Sequence, residues 1–119
     1  MIDRNKLSVG LQVAFIPSHV REECSNVLSK MLKHEDTRFG FVSSWKYKDN
    51  LFPTIFCRFW NKFHPTVLRT LSCSEGCDPI DLIKYDSRTQ EVMDATLKIL
   101  RDDPMRYGWT EQKEQHEEV

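Results

Sequence analysis

The sequence predicts a small α+β domain built on a β-barrel of about five short strands, with one inserted helix and one C-terminal helix. Apolar and polar residues alternate in several short runs, and two other segments carry apolar residues at helical spacing. Strands alternate with helices too rarely for a doubly wound sheet. A chain of 119 residues is long enough for one core. We therefore expect a single domain over residues 1–104 and an acidic, disordered tail over residues 105–119.

The first predicted strands follow from the spacing of apolar residues. Residues 7–16 alternate between two faces and end at Pro17, which cannot donate a ladder hydrogen bond. Residues 39–47 and 54–60 are rich in aromatic and β-branched side chains, as strands are. The Lys-Asp-Asn sequence at residues 48–50 has turn chemistry, so these two runs predict a hairpin.

Shorter elements are predicted nearer the C-terminus. A third strand of the same kind is expected over residues 66–73, followed by a turn at Glu75-Gly76. Asp78-Pro79 favours a one-turn helix because aspartate caps and proline fits a first helical position. A last short strand is expected over residues 82–85.

Two amphipathic helices are predicted. Apolar residues recur every three or four positions at about 19–33 and again at about 88–101. Asp86 or Ser87 is expected to cap the second helix, and Pro104 to end it.

Composition limits the class of protein. The chain is 39% hydrophobic and 29% charged with a net charge of −1, which is typical of a soluble domain. No apolar run reaches the length of a membrane span, and no secretory signal precedes the first strand. We expect a cytoplasmic protein with no membrane partner. The expected state of the cysteines is four free thiols, at Cys24, Cys57, Cys73 and Cys77.

Particular blocks of sequence resemble a known group of proteins. "VGLQVAFIPSH" (9–19), "HEDTRFGFVSS" (34–44), "IFCRFW" (55–60) and "CDPIDLIKYD" (77–86) occur in that order. This is similar to small, uncharacterised tailed-bacteriophage proteins with an SH3-like barrel. Their Gly-x-Val-x-Ser strand, Phe-x-Arg-Phe/Tyr strand and closing Pro-x-Asp-Leu turn match these blocks. The resemblance implies an SH3-like five-stranded barrel and a viral protein in the host cytoplasm, and it implies no activity.

The aromatic segment raises the question of what covers it. If Val42 and Ser44 face into the barrel, the opposite face carries Phe39, Phe41, Trp45 and Tyr47. The apolar stripes of the two helices also need a partner, so we expect the helices to cover most of this face. The remaining rim is the expected partner-binding site. Its aromatic and basic residues are Trp60, Phe63, Trp109, Arg58, Lys62 and Arg69.

The distribution of charge along the chain keeps a nucleic-acid partner as an alternative. Residues 38–69 contain six basic side chains and one acidic, a local +5 among aromatics that could stack on bases. Residues 110–119, with four Glu and one Lys, carry −3. The near-neutral total and the acidic tail count against this alternative, because non-specific affinity comes from phosphate neutralisation.

No catalytic or metal-binding pattern is convincing. The chain has no nucleophile elbow and no glycine-rich phosphate loop, so we expect neither catalysis nor a cofactor. Cys73 and Cys77 have a C-x₃-C spacing that zinc sites use, with Cys24, Cys57, His34 or His64 as further candidates. No second paired spacing exists. The expectation is no metal, with a structural zinc as the alternative.

The function expected from these observations is binding. We expect a small, non-enzymatic phage accessory protein that docks on a host or phage protein, with inhibition of a host factor as one mode of action. A nucleic-acid-binding small barrel that uses residues 38–69 is the first alternative. A self-assembling virion component is the second, and the sequence leaves the oligomeric state open.

Overall fold

The computed structural model describes residues 2–47, 53–61, 71–86 and 88–110. Within them lie five strands: β1 (Gln12–Phe15), β2 (Arg38–Lys46), β3 (Thr54–Phe59), β4 (Glu75–Cys77) and β5 (Leu82–Lys84). The α-helices of these residues are α1 (Ser18–Glu23), α2 (Leu28–Met31), α3 (Gln90–Asp102) and α4 (Pro104–Tyr107). Single 3₁₀ turns span Arg4–Lys6 and Pro79–Asp81. The predicted mixture of helix and strand is confirmed.

The strands form one antiparallel sheet in the order β4-β3-β2-β1-β5. In β2, Phe41 pairs with Gln12 of β1 on one side and with Arg58 of β3 on the other. The sheet is open: within the described residues, no ladder joins its two edge strands, β4 and β5. Closure into the expected SH3-like barrel is therefore not confirmed.

The connection between the two edge strands bends the sheet. Only residues 78–81 separate Cys77, the end of β4, from Leu82, the start of β5, and three of them form a 3₁₀ turn. At roughly 3.5 Å per extended residue and 2 Å per 3₁₀ residue, this link spans about 15 Å. In a flat sheet, four strand spacings would separate the edges by about 19 Å. The sheet therefore curls so that its edges approach each other.

Each face of the sheet has its own apolar cluster. The inner face of the curl packs one cluster of buried side chains: Val13, Val42, Ile55, Cys57, Phe59 and Leu82. The other face is covered by helices. Phe41 packs under Met93, Leu97 and Leu100 of α3, and Ala14 and Ile16 pack with Val20, Cys24 and Met31. Phe39 contacts both of these helix-covered clusters, so the expected coverage by the chain's own helices is confirmed for Phe39 and Phe41.

A β-bulge in β2 places Trp45 on the other face from Phe41. The register shifts between Val42 and Ser44, and the Ser43 hydroxyl donates to the Phe56 carbonyl at 2.9 Å. One extra residue reverses the alternation of side chains beyond the bulge. Trp45 therefore packs with Val42 in the inner cluster. The expectation that Trp45 shares a face with Phe39 and Phe41 is wrong for this reason.

The expected helix over residues 19–33 is two short helices, α1 and α2. Ser25 and Asn26 interrupt it with φ angles of 50° and 59°. Asn and Ser tolerate this left-handed conformation, and the Asn26 amide bonds back to the Arg21 carbonyl at 2.9 Å. The break lets Val20 and Met31 both reach the sheet.

The C-terminal part also differs from the expectation. Thr89 caps α3 through a bond from the Val92 amide to its hydroxyl, in place of Asp86 or Ser87. Pro104 begins α4 and does not end the fold, and the following residues to Thr110 are described. Residues 105–110 are therefore not part of a disordered tail, and residues 111–119 lie outside the described part.

Two further predictions concern the region before β5. Glu75-Gly76, expected as a turn, belongs to β4 and pairs with β3. The strand expected over residues 66–73 lies mostly outside the described residues, and its last three positions are not strand. Asp78 caps the predicted one-turn helix at Pro79–Asp81, which is confirmed.

Among the described residues, no helix is both long and apolar enough to cross a membrane.

Candidate functional site

Arg58 is the least expected polar residue of the interior. It lies on β3, where neighbouring apolar residues pack on both faces, and only 5% of it is exposed. Its guanidinium donates to the carbonyls of Tyr107 at 2.8 Å and Gly108 at 3.2 Å, and more weakly to that of Ser72 at 3.4 Å. Burial lowers the pKa of Arg58 from its usual value. No described carboxylate pairs with Arg58, so the dipoles of these carbonyls balance its charge.

The Arg58 bonds hold the C-terminal end of α4. Gly108 follows this helix with a φ of 59°, a left-handed conformation that glycine adopts at low cost. The Gly108 and Trp109 amides both donate to the Pro104 carbonyl, the latter at 2.8 Å. This glycine-terminated helix end turns the chain back so that Trp109 reaches the sheet.

Trp109 and Trp60 complete the base on which α4 rests. Their exposed fractions are 7% and 6%. Both rings pack near Phe41, with centroid distances of 6.3 and 5.5 Å. The Arg58 guanidinium carbon lies 5.5 Å from the Trp109 ring, and that of Arg88 lies 4.3 Å from the Trp60 ring. Cation–π contacts of this kind add to the burial of the rings.

The residues predicted as an exposed rim are therefore brought together, but inside the fold. Trp60, Trp109 and Arg58 lie in one cluster with Phe41, and the expectation that the two tryptophans are exposed is wrong. The reason is that α3 packs on this cluster, and that α4, a helix absent from the sequence-based expectation, turns the chain back so that Trp109 joins it. Phe63, Lys62 and Arg69 lie outside the described residues.

The outer side of α4 presents exposed residues. Met105 is 91% exposed, the highest value among the large apolar residues that the structure describes. Arg106 is exposed beside it and lies 5.6 Å from the ring of the half-buried Tyr107. Methionine, arginine and tyrosine are the residue types that protein interfaces concentrate. We name these three residues the α4 surface.

A sequence signal for α4 does exist. Pro104 and Gly108 bracket it as first helical residue and left-handed stop, the usual asymmetry of helix ends. The same proline also marks the end of α3, so by itself it does not indicate that a new helix begins there. The position of Arg58 beneath α4 has no local signal, because a buried arginine and an exposed one are alike in sequence.

The cysteines divide into one exposed and three buried thiols. Cys73 is exposed, and Cys24, Cys57 and Cys77 are buried. A hydrogen bond with Cys77, together with burial, raises the pKa of Cys57. Within the described ranges, no three His, Cys, Asp or Glu side chains are arranged to hold a metal ion.

Two histidines pair with carboxylates near α1 and α2. His19 Nε2 lies 2.7 Å from Asp36, and His34 Nε2 lies 2.6 Å from Glu23. These contacts connect α1 to the chain that follows α2.

Comparison with known proteins returns nothing similar: no family model, no curated protein and no solved structure matches the chain.

Proposed function

We propose that this chain acts by binding a protein partner, and that the α4 surface is where the partner docks. The observation that carries the proposal is the 91% exposure of Met105 on a helix whose other side is fixed by Arg58 and Trp109. An exposed methionine on a fixed helix loses little conformational freedom of the backbone on binding. Arg106 and Tyr107 supply the adjoining contacts that interfaces favour.

The fold proposed to carry this surface is a curled, SH3-like arrangement of the five strands. Its support is the short link from β4 to β5, which includes the Pro79-Ile80-Asp81-Leu82 sequence of the resemblance. The same resemblance supports a phage origin and a host-cell location, and the lack of a catalytic motif in the sequence supports a non-enzymatic role. In that setting, the proposed partner is a host or phage protein, and inhibition of a host factor is the proposed effect.

Two described cations are removed from the nucleic-acid alternative by their contacts, and Lys48, Lys62 and Arg69 lie outside the described residues. Of the basic residues counted in segment 38–69, Arg58 is buried, and both of its terminal guanidinium nitrogens donate to carbonyls. Arg38 forms a two-bond ion pair with Glu75, at 2.6 and 3.2 Å. Among the described residues of that segment, Lys46 is the one remaining exposed cation without an ion pair. Phosphate neutralisation needs several such cations.

Affinity capture with matched variants tests the proposal. Tagged wild-type chain, Met105→Asp and Ile80→Asp are each used to capture protein from a bacterial lysate. Ile80 is 53% exposed on the 3₁₀ turn after β4, so its variant controls for a charge placed on another exposed apolar residue. The expected result is one protein in near-equal amount with wild type and Ile80→Asp, and its loss with Met105→Asp.

Other outcomes would contradict the proposal. Equal capture by all three chains would show that the captured protein does not bind the α4 surface. Light scattering that gives a mass above 14.1 kDa for the isolated chain, reduced to 14.1 kDa by Met105→Asp, would assign the surface to self-assembly. A salt-sensitive complex with a single strand of roughly 20 nucleotides would favour nucleic-acid binding instead.

A further inference from the structure

A polar cavity of about 550 Å³ lies between the start of β1 and the start of α3. Its volume is within the range of roughly 300–1,000 Å³ typical of small-molecule sites. One wall is the chain from Ser8 to Gln12, and the other includes Lys84, Asp86 and Arg88. The α4 surface contributes no residue to the lining, so a ligand of this cavity is independent of the proposed docking function.

The first wall is a fixed turn. The Leu11 amide donates to the Ser8 carbonyl at 3.1 Å, and Gly10 has a φ of 92°. A positive φ at the third position of such a turn requires glycine or asparagine. The Gly10 amide also donates to the Val42 carbonyl at 2.9 Å, which attaches the turn to β2.

Gln12 joins the two walls. It is 6% exposed, and its carboxamide bonds the Arg88 backbone twice. The Arg88 amide donates to Gln12 Oε1 at 3.0 Å, and Gln12 Nε2 donates to the Arg88 carbonyl at 3.1 Å. These two part-buried bonds attach the backbone of Arg88, in one wall, to Gln12 in the other.

The cations that line the cavity have no ion-pair partner among the described residues. Neither Lys84 nor Arg88 lies within ion-pair distance of a described carboxylate. The Arg88 guanidinium rests on the Trp60 ring at 4.3 Å, and its Nε is buried without a hydrogen-bond partner. Among the described residues of the lining, Asp86 is the one carboxylate, beside the two cations Lys84 and Arg88. The cavity thus offers two cations without ion-pair partners to an anion, and one carboxylate acceptor to a hydroxyl.

We propose that this cavity binds a phosphate monoester of a hydroxylated small molecule, such as a sugar phosphate or a nucleoside monophosphate. The phosphate faces Lys84 and Arg88, whose donors suit its oxygens. Ser8 also lines the cavity, and serine carries a hydroxyl that can donate a hydrogen bond. Asp86 accepts a hydrogen bond from a ligand hydroxyl, which explains a carboxylate in a site for an anion.

Amide chemical shifts of the full chain test the proposal. Ribose 5-phosphate, adenosine monophosphate, adenosine and inorganic phosphate are titrated at constant ionic strength, because surface charges respond to salt. Both phosphate monoesters should shift the amides around Gly10, Gln12 and Arg88 at millimolar concentration or below. Inorganic phosphate should bind about tenfold more weakly, since it cannot reach Asp86, and adenosine should not bind.

Matched variants distinguish a built site from general charge attraction. Lys84→Gln should weaken phosphate-monoester binding by about tenfold, the effect of one charge-assisted bond. Lys98→Gln removes an equal charge on α3 outside the cavity and should leave binding unchanged. Asp86→Asn should reduce the preference for ribose 5-phosphate over inorganic phosphate. Arg88→Lys keeps the charge and should bind within a few-fold of wild type if the fold is intact.

Several results would overturn the proposal. They are an absence of localised shifts with every ligand, equal effects of Lys84→Gln and Lys98→Gln, or shifts with inorganic phosphate that match those with ribose 5-phosphate. The dispersion of the amide spectrum shows separately whether each variant is folded.

Discussion

Arg58 on β3 donates a 2.8 Å hydrogen bond to the carbonyl of Tyr107, 49 residues later, at the end of α4. One buried guanidinium thus connects the middle of the sheet to the C-terminal part of the chain. The bond belongs to a polar group inside an apolar cluster, and its loss leaves carbonyl groups without partners. Through it, β3 determines how α4 presents Met105.

The first prediction concerns Arg58 itself. Arg58→Leu should lower the free energy of unfolding by about 2–3 kcal/mol, because hydrogen bonds from a charged donor are lost and carbonyls stay buried. Hydrogen exchange should also accelerate at the Trp109 amide, which bonds Pro104 across the end of α4. Arg58→Lys can keep one of these bonds, so its free energy of unfolding should lie between those of wild type and Arg58→Leu. Unchanged protection at Trp109 would show that Arg58 does not hold α4.

The second prediction contrasts two glycines. A Cβ at Gly40 would lie 1.9 Å from the Arg58 carbonyl oxygen, and backbone atoms cannot yield. Gly40→Ala should therefore destabilise the fold by about 3 kcal/mol or more. Gly108→Ala meets no atom within 4 Å and has only its φ of 59° to accommodate, at a cost of about 1–2 kcal/mol. Urea unfolding of both variants measures the difference, and equal losses would contradict the close approach of β2 and β3.

The third prediction concerns the thiols. Iodoacetamide followed by mass spectrometry should label Cys73 first, since it is exposed, and Cys57 last. The hydrogen bond with Cys77, and then burial, raise the pKa of Cys57, so the native chain has little Cys57 thiolate to react. Rapid labelling of Cys57 in the native chain would mean that the inner cluster opens.

The same thiol makes stability depend on pH. The unfolded thiol loses its proton near pH 8.5, whereas Cys57 in the folded chain keeps it. The unfolded state therefore binds fewer protons above that pH, and the Cys57 contribution to stability, fully present below it, is lost as pH rises. The same hydrogen bond lowers the pKa of Cys77, so the two thiols are replaced together in the control. Denaturant midpoints measured from about pH 8.5 to 10 should fall for wild type, because Cys57 keeps its proton in the folded chain, and fall less steeply for the double variant Cys57→Ala/Cys77→Ala. Parallel slopes for the two chains would contradict the raised pKa.

Particular elements show which features the sequence predicts and which it does not. Alternation identifies β1, β2 and β3, and the Asp78-Pro79 pair identifies the turn before β5, because each signal is local. The bulge after Val42 has no such signal: the sequence reads as unbroken alternation, and the pairing with β3 adds the extra residue. Alternation alone therefore puts Trp45 on the wrong face.

The candidate site is harder to predict for a related reason. Trp60, Trp109 and Arg58 have the right chemistry for a site, and the structure does bring them together. Their burial depends on α3 and on the chain that follows α4, which pack against the sheet far along the sequence from β3. The two tryptophans are buried, and Met105 is the exposed residue instead. Nothing in the sequence around Met105 predicts this.

Photo-crosslinking at α4 tests the central claim most directly. A benzophenone amino acid replaces Met105 in one chain and Lys98, which is exposed on α3, in another. Each chain is irradiated in the lysate that contains the captured partner. The account predicts one crosslinked protein from position 105, none from position 98, and loss of the position-105 product when Arg58→Leu is added. Crosslinks from both positions alike, or a position-105 product that survives Arg58→Leu, would contradict docking on a surface that Arg58 holds in place.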